Sequence, residues 1–179
     1  MKLLLKVALP AVLALMAGCA ASVHRSDGAQ SAVVVPPASG KHVVMYVQGI
    51  KKATESKDWE LLRTEWRTAI ADSAKEKGIT STYWDTDQPA STDTGTLVVI
   101  NVNDYRYLSP GARYGFGIMT GNAFIDADAT FYELPGRKPL GNRKYNTSST
   151  AWQGIFSAMT EKQIKAICDD IVKDMTAGK

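Results

Sequence analysis

GNAFIDADATFYEL, residues 121–134, alternates cleanly: Ala123, Ile125, Ala127, Ala129 and Phe131 fall on one side, and Phe124, Asp126, Asp128, Thr130 and Tyr132 on the other. A period of two sustained this long predicts a strand with one buried face and one solvated face. Pro135-Gly136 supplies a turn, and Leu140 to Ser149 returns as a partner strand of polar, β-compatible residues. The stretch therefore predicts an antiparallel hairpin with one core face, and other elements must cover that face.

Upstream, Thr96 to Asn103 (TLVVINVN) sets Leu97, Val98, Val99 and Ile100 in a row, the pattern of a central strand covered on both faces. Ile79 to Trp84 reads as a further strand, and Lys41 to Gln48 (KHVVMYVQ) as the first strand entering the core. Between them, from Asp58 to Lys77, Trp59, Leu62, Trp66, Ala69, Ile70 and Ala74 recur at helical intervals, with Ser56 or Asp58 to cap the start and Gly78 the end. At the carboxyl end Trp152, Ile155, Phe156 and Met159 make one stripe. Ile164, Ile167, Cys168, Ile171 and Met175 make the next, with Thr160 and Gln163 fitting a capping box. The order strand, helix, four strands, helix predicts one small α/β (α+β) domain, a mixed sheet of about five strands under two main helices.

The amino terminus has a different character. Met1 to Gly18 runs from a basic start (Lys2, Lys6) through an apolar stretch (Val7 to Met16, broken by Pro10) to small residues before Cys19. That is the layout of a signal peptide, and the apolar stretch is shorter than the roughly 20 residues that span a bilayer as a helix. Ala21 to Gly40, rich in Ser, Ala, Gly, Pro and Val, reads as a flexible tether. His24 lies within it, with no second ligand nearby, and reads as solvent-exposed sequence. The expected organisation is signal peptide 1–18, tether 19–40 and folded domain 41–179.

Charge narrows the function classes. The chain has 21 basic and 18 acidic side chains; Lys2 and Lys6 precede Cys19 and no acidic residue does, which leaves 19 against 18, about +1. So even a balance, with no basic run, argues against nucleic acid as a partner. With only two cysteines, Cys168 has no partner for a disulfide if Cys19 is modified, and stability is then expected from burial and not from cross-links.

Leu15-Met16-Ala17-Gly18-Cys19 resembles the lipobox of bacterial lipoproteins, with Met16 where that pattern usually has Leu. The resemblance implies a diacylglyceryl thioether on Cys19 and an acylated amino terminus of the palmitate type, enough acyl chain for stable anchoring. Asp after the cysteine tends to retain such proteins at the inner membrane; Ala20 stands there, which implies the periplasmic face of the outer membrane. A second resemblance lies in Tyr107 to Leu134, where Arg113, Gly115, Gly117 and Gly121 precede the alternating strand with Asp126 and Asp128. This region is similar to that of a family of envelope lipoproteins of unknown function, themselves similar in outline to the amino-terminal domain of TolB and to CsgG. The resemblance implies an envelope module that contacts other proteins, although a shared fold alone assigns no function.

Motifs for chemistry are sparse. No G-x-S-x-G, H-E-x-x-H, C-x-x-C or P-loop pattern occurs, and His42 is the one histidine inside the expected domain. A hydrolase would have to assemble a Ser-His-Asp set around His42, or pair His42 with Cys168, whose place in an apolar stripe reads as a buried inert thiol. Asp126 and Asp128 face the same way, a spacing that suits paired carboxylates or a hard cation, and equally a solvated sheet face with Arg113 or Arg143 nearby. Asp85 and Asp87 read as turn residues. Gly111, Gly115, Gly117 and Gly121 do not make a dinucleotide fingerprint, since their spacing is wrong and they precede a strand. They read as a flexible loop or bulged hairpin, surrounded by Tyr105, Tyr107, Tyr114, Phe116, Ile118 and Met119; either these pack within the loop, or, if part of the surface is exposed, Tyr114, Phe116, Ile118 and Met119 form the candidate partner surface. The expectation is a non-catalytic binding or envelope-assembly module, without cofactor or metal, joined to the membrane through Cys19 and to an envelope protein. The alternatives are an envelope hydrolase acting on wall or lipid material and a carrier of a small apolar ligand.

Overall fold

The computed structural model describes residues 22–25, 32–88, 92–107, 123–148 and 159–177. Cys19, the candidate surface Tyr114, Phe116, Ile118 and Met119, the glycines from Gly111 to Gly121, Arg113 and the Trp152, Ile155 and Phe156 stripe lie outside the described residues. Among those described, β1 (Ser22–Arg25), β2 (His42–Gly49), β3 (Thr80–Trp84), β4 (Gly95–Arg106), β5 (Phe124–Leu134) and β6 (Lys138–Ser148) form one sheet, in the order β1-β6-β5-β4-β2-β3. β2 runs parallel to β3 and β4; β4, β5, β6 and β1 alternate in direction. A short helix α1 (Lys51–Thr54) follows β2, and two long helices, α2 (Trp59–Glu76) and α3 (Met159–Thr176), pack against each other. The chain is thus one small α+β domain with a mixed sheet, as the order of elements predicts.

The alternation in β5 is what builds the core. Ile125, Ala127, Ala129 and Phe131 have no exposed surface and join Met45, Val47, Val98 and Ile100 of the neighbouring strands under Leu62, Trp66 and Ile70 of α2 and Ile164, Ile167 and Ile171 of α3. Burying each large apolar side chain contributes roughly 1.5–3 kcal/mol, so this face is where the stability of the domain is concentrated. α2 ends where expected: Gly78 takes φ +67, a left-handed conformation that lets the chain leave the helix and enter β3. Gln163 puts its amide to another use than a local cap, donating to the Ala123 carbonyl at 3.1 Å and so tying α3 to the entry of β5.

The amino-terminal segment departs from expectation. Ser22–Arg25, His24 included, is a strand, hydrogen-bonded to β6 with Ser22 opposite Ser148 and His24 opposite Asn146. Further along, Val35, Ser39 and Gly40 are buried, and Thr96 donates to the Ser39 carbonyl at 2.9 Å. The physical reason lies outside the segment: β6 offers an unpaired edge, and a short extended stretch can satisfy it whatever its own hydrophobicity. The sheet accordingly gains a strand over the expected five, and no free tether of 20 residues separates Cys19 from the domain.

Candidate functional site

The helices cover one face of the sheet. On the other, register places His42, Val44, Tyr46 and Gln48 of β2 beside Leu97, Val99 and Asn101 of β4, and these beside Tyr132, Thr130 and Asp128 of β5. The half near the start of β2 is apolar: Val44, Trp84, Leu97 and Leu134 are buried in a second small cluster, with Tyr46, Val99 and Tyr132 half-buried against it. Leu97 and Val98 are both fully buried, so β4 is covered on both sides, but among the described residues the second cover is this small cluster and not a helix. Arg137 closes one side, its guanidinium 5.9 Å from the Trp84 ring centroid, paired with Asp87 and donating to the Gln88 carbonyl at 2.9 Å. Asp85 likewise pairs with Arg67 and Arg63 of α2. Both aspartates therefore fix the segment that leaves β3 by ion pairs, with Asp85 in a bend.

Toward the other end of the face the lining becomes polar. Asn103 is displaced by the irregularity between Val102 and Asp104, and its side-chain amide donates to Asp128 at 2.7 Å and to Asp126 at 3.5 Å, while the Asn101 side chain donates to Asn103 Oδ1 at 2.9 Å. The two carboxylates are thus bridged by an amide. Arg143 does not serve them: it points to the helical side and pairs with Asp174 at 2.9 Å. Asp104 lies opposite Asp126 and bonds Lys52 at 2.8 Å, which holds its carboxyl below the ordinary range. Among the described residues no group of three His, Cys, Asp or Glu side chains is placed to hold a metal ion. Asn101 and Asn103 join this cluster although neither titrates; the alternation of TLVVINVN is the signal that puts Asn101 on this face.

The structure separates the residues a hydrolase would need. His42 donates from Nδ1 to the Thr94 carbonyl (3.3 Å) and shares a hydrogen bond at Nε2 with the Thr82 hydroxyl (3.0 Å), beside Gly95, whereas Asp126 lies opposite Asp104, nine residues further along β4. At about 3.3 Å per residue that is roughly 30 Å. Cys168 sits in the helical core on the opposite side of the sheet, and burial pushes its thiol well above the ordinary range, so no thiolate is available to His42.

Tyr105 and Tyr107, which precede the glycines, are partly buried and pack against the main core. The Tyr105 ring stands 6.4 Å from Trp59, and its hydroxyl meets the Ala53 carbonyl at 3.5 Å. The Tyr107 hydroxyl donates to Glu65 on α2 at 3.3 Å. Burial, with Glu161 across the helix pair, raises the Glu65 carboxyl although the Tyr107 hydrogen bond opposes the shift, and burial beside Glu65 pushes the Tyr107 phenol up to about 12. An open groove of about 240 Å³ between α2 and α3 carries charged walls, including Glu65, Asp72, Glu161 and Lys165. A carrier of an apolar molecule would need a closed apolar cavity, which this is not.

No family model matches the chain, and no curated protein does. Solved structures do. Two structures of the PelC dodecamer from Paraburkholderia phytofirmans, one of them a point variant, align with TM-scores of 0.53 and 0.52 at 9% identity. They cover 86% and 88% of this chain and 96% and 98% of theirs. Protein XCC0632 from Xanthomonas campestris aligns at a TM-score of 0.47 and 11% identity over 82% of this chain and 92% of its own, a likeness too loose to argue from. At such identities the PelC likeness shows a shared fold over nearly the whole domain. No helix among the described residues is long and apolar enough to cross a membrane.

Proposed function

We propose that this chain is a lipoprotein held by acyl chains on Cys19 at the periplasmic face of the outer membrane, and that its α+β domain is a non-catalytic binding or assembly module. The observation that carries the reading is the joining of an export segment ending in Leu15-Met16-Ala17-Gly18-Cys19 to a domain with the PelC fold, PelC being a dodecamer. The likeness supports further copies of the chain as one class of partner. The wide separation of His42, Cys168 and the Asp126–Asp128 pair supports a module that acts by contact. Tyr114, Phe116, Ile118 and Met119 remain the proposed partner surface, with half-buried Tyr46, Val99 and Tyr132 as a second apolar area.

The test is a pull-down from detergent-solubilised envelopes combined with light-scattering mass of the recovered protein. The intact chain is expected to run as an oligomer or with an envelope protein, and a folded Tyr114→Ser, Phe116→Ser double variant to lose that association. A monomer that recovers no partner from solubilised envelopes contradicts the reading.

A further inference from the structure

We infer that the end of the sheet carrying Ile50 and Leu61 rests on the phospholipid surface, so that the domain stands upright on the membrane. The inference builds on the anchoring at Cys19 proposed above and adds the orientation. Register places Ser22 opposite Ser148, Ser148 opposite Phe124 and Phe124 opposite Arg106, so the first residue of β1 lies at the end of the sheet where β4 finishes. Only Ala20 and Ala21 separate Cys19 from Ser22, and the three Cα–Cα steps between them span at most about 11 Å when fully extended. The acyl-bearing residue is therefore confined to this end, while the opposite end of β4, 12 residues long, lies roughly 40 Å away.

The same end presents apolar side chains to solvent. Among the described residues the exposed large hydrophobics are Val34, Ile50 and Leu61. Ile50 leads into α1, which lies along the last residues of β4: Lys52 bonds Asp104, and the Tyr105 hydroxyl meets the Ala53 carbonyl. Leu61 is in the first turn of α2, beside Trp59, whose ring packs near Tyr105. Val34 is elsewhere, its amide bonded to the Leu140 carbonyl.

Position across the sheet gives these side chains a mechanical role. β1 and β2 are four strand spacings apart, about 19 Å. An attachment at the β1 corner alone leaves the domain free to pivot; a second contact at the β2 corner holds it. Two partly exposed aliphatic side chains bind a bilayer only marginally by themselves, but tethering makes the second contact intramolecular. Charge does not select anionic lipid here, because Lys51, Lys52, Lys57 and Arg106 are matched by Glu55, Asp58, Glu60 and Asp104. The surface suits a zwitterionic bilayer, and phosphatidylethanolamine is the lipid to which the inference commits.

The experiment uses the full lipidated protein on phosphatidylethanolamine vesicles carrying a headgroup quencher, with a fluorophore attached through Ile50→Cys, Leu61→Cys or Lys77→Cys. Lys77 follows α2 at the far end of the domain, and Cys168 is buried. Quenching at 50 and 61 is expected to exceed that at 77 by about threefold or more, since headgroup quenching fails over a few tens of ångströms. The difference should shrink when a flexible spacer of about ten Gly and Ser residues is inserted after Ala20. Equal quenching at all three sites on a protein that floats with the vesicles overturns the orientation and leaves the anchor standing. A parent protein that floats no better than Cys19→Ser overturns the anchor, and the orientation with it.

Discussion

The Arg143 guanidinium of β6 bonds the Asp174 carboxylate of α3 at 2.9 Å, with both side chains almost buried, at 13% and 12% exposure. This pair joins the far strand of the hairpin to the closing helix. Removing one member leaves the other charge poorly solvated, which costs about 2–4 kcal/mol where burial is this deep. Arg143→Ala and Asp174→Ala are each expected to lose that much in denaturant unfolding. Lys51→Ala, which breaks a pair with Glu55 exposed at 85% and 66%, should change stability by less than about 0.5 kcal/mol.

Glu65 makes the stability of the helix pair depend on pH. Burial and Glu161 raise its folded pKa, so the folded state binds the proton more tightly than the unfolded chain does. The stability this group contributes is accordingly full below the unfolded carboxylate value and is lost as pH rises through the folded value. Glu65→Gln should flatten the dependence on the acid side of neutrality and, because solvent screens this partly exposed site, stabilise the protein at pH 7 by no more than about 0.5 kcal/mol. Thermal unfolding from about pH 3, below the unfolded carboxylate value, to about pH 7 reads both effects.

Tyr107 acts at the alkaline end. Its phenol is pushed up to about 12 from an unfolded value near 10. The folded state therefore keeps a proton that the unfolded chain releases, and the stability it contributes is full below 10 and lost as pH rises toward 12. Tyr107→Phe should remove this loss and, at pH 7, cost about 0.5–1.5 kcal/mol for the hydrogen bond to Glu65. Alkaline denaturation of the two proteins side by side checks the sign.

Gly40 tests whether the segment before β2 is part of the domain. A Cβ there would stand 2.7 Å from the Met175 carbonyl oxygen in α3, a backbone atom that cannot easily move. Gly40→Ala should destabilise by about 1–3 kcal/mol. In a free tether the same change would be neutral.

Much of this fold is legible in the sequence, because its elements announce themselves through periodicity. β5 alternates over its whole length, α2 and α3 carry apolar stripes, and Gly78 marks the end of α2. What escapes is set by partners distant in the chain. Ser22–Arg25 is four residues of mixed polarity within a Ser-, Ala- and Gly-rich stretch, and only the open edge of β6 makes it a strand. The insertion of β2 between β3 and β4 is likewise a matter of packing, as is the distance between His42 and Asp126. Asn103 reaches the two aspartates through a local irregularity in β4 that no spacing rule reveals. For Tyr105 and Tyr107 the sequence leaves both readings open, because aromatic side chains near glycines look the same whether they meet a partner protein or their own helix.

The reading rests most heavily on Cys19, and mass spectrometry of the amino-terminal peptide from protein purified out of envelopes addresses it directly. Anchoring predicts a chain that begins at Cys19 and carries a diacylglyceryl thioether with an acylated amino group. An unmodified cysteine, or a chain that begins at Ala20 or beyond, would contradict it.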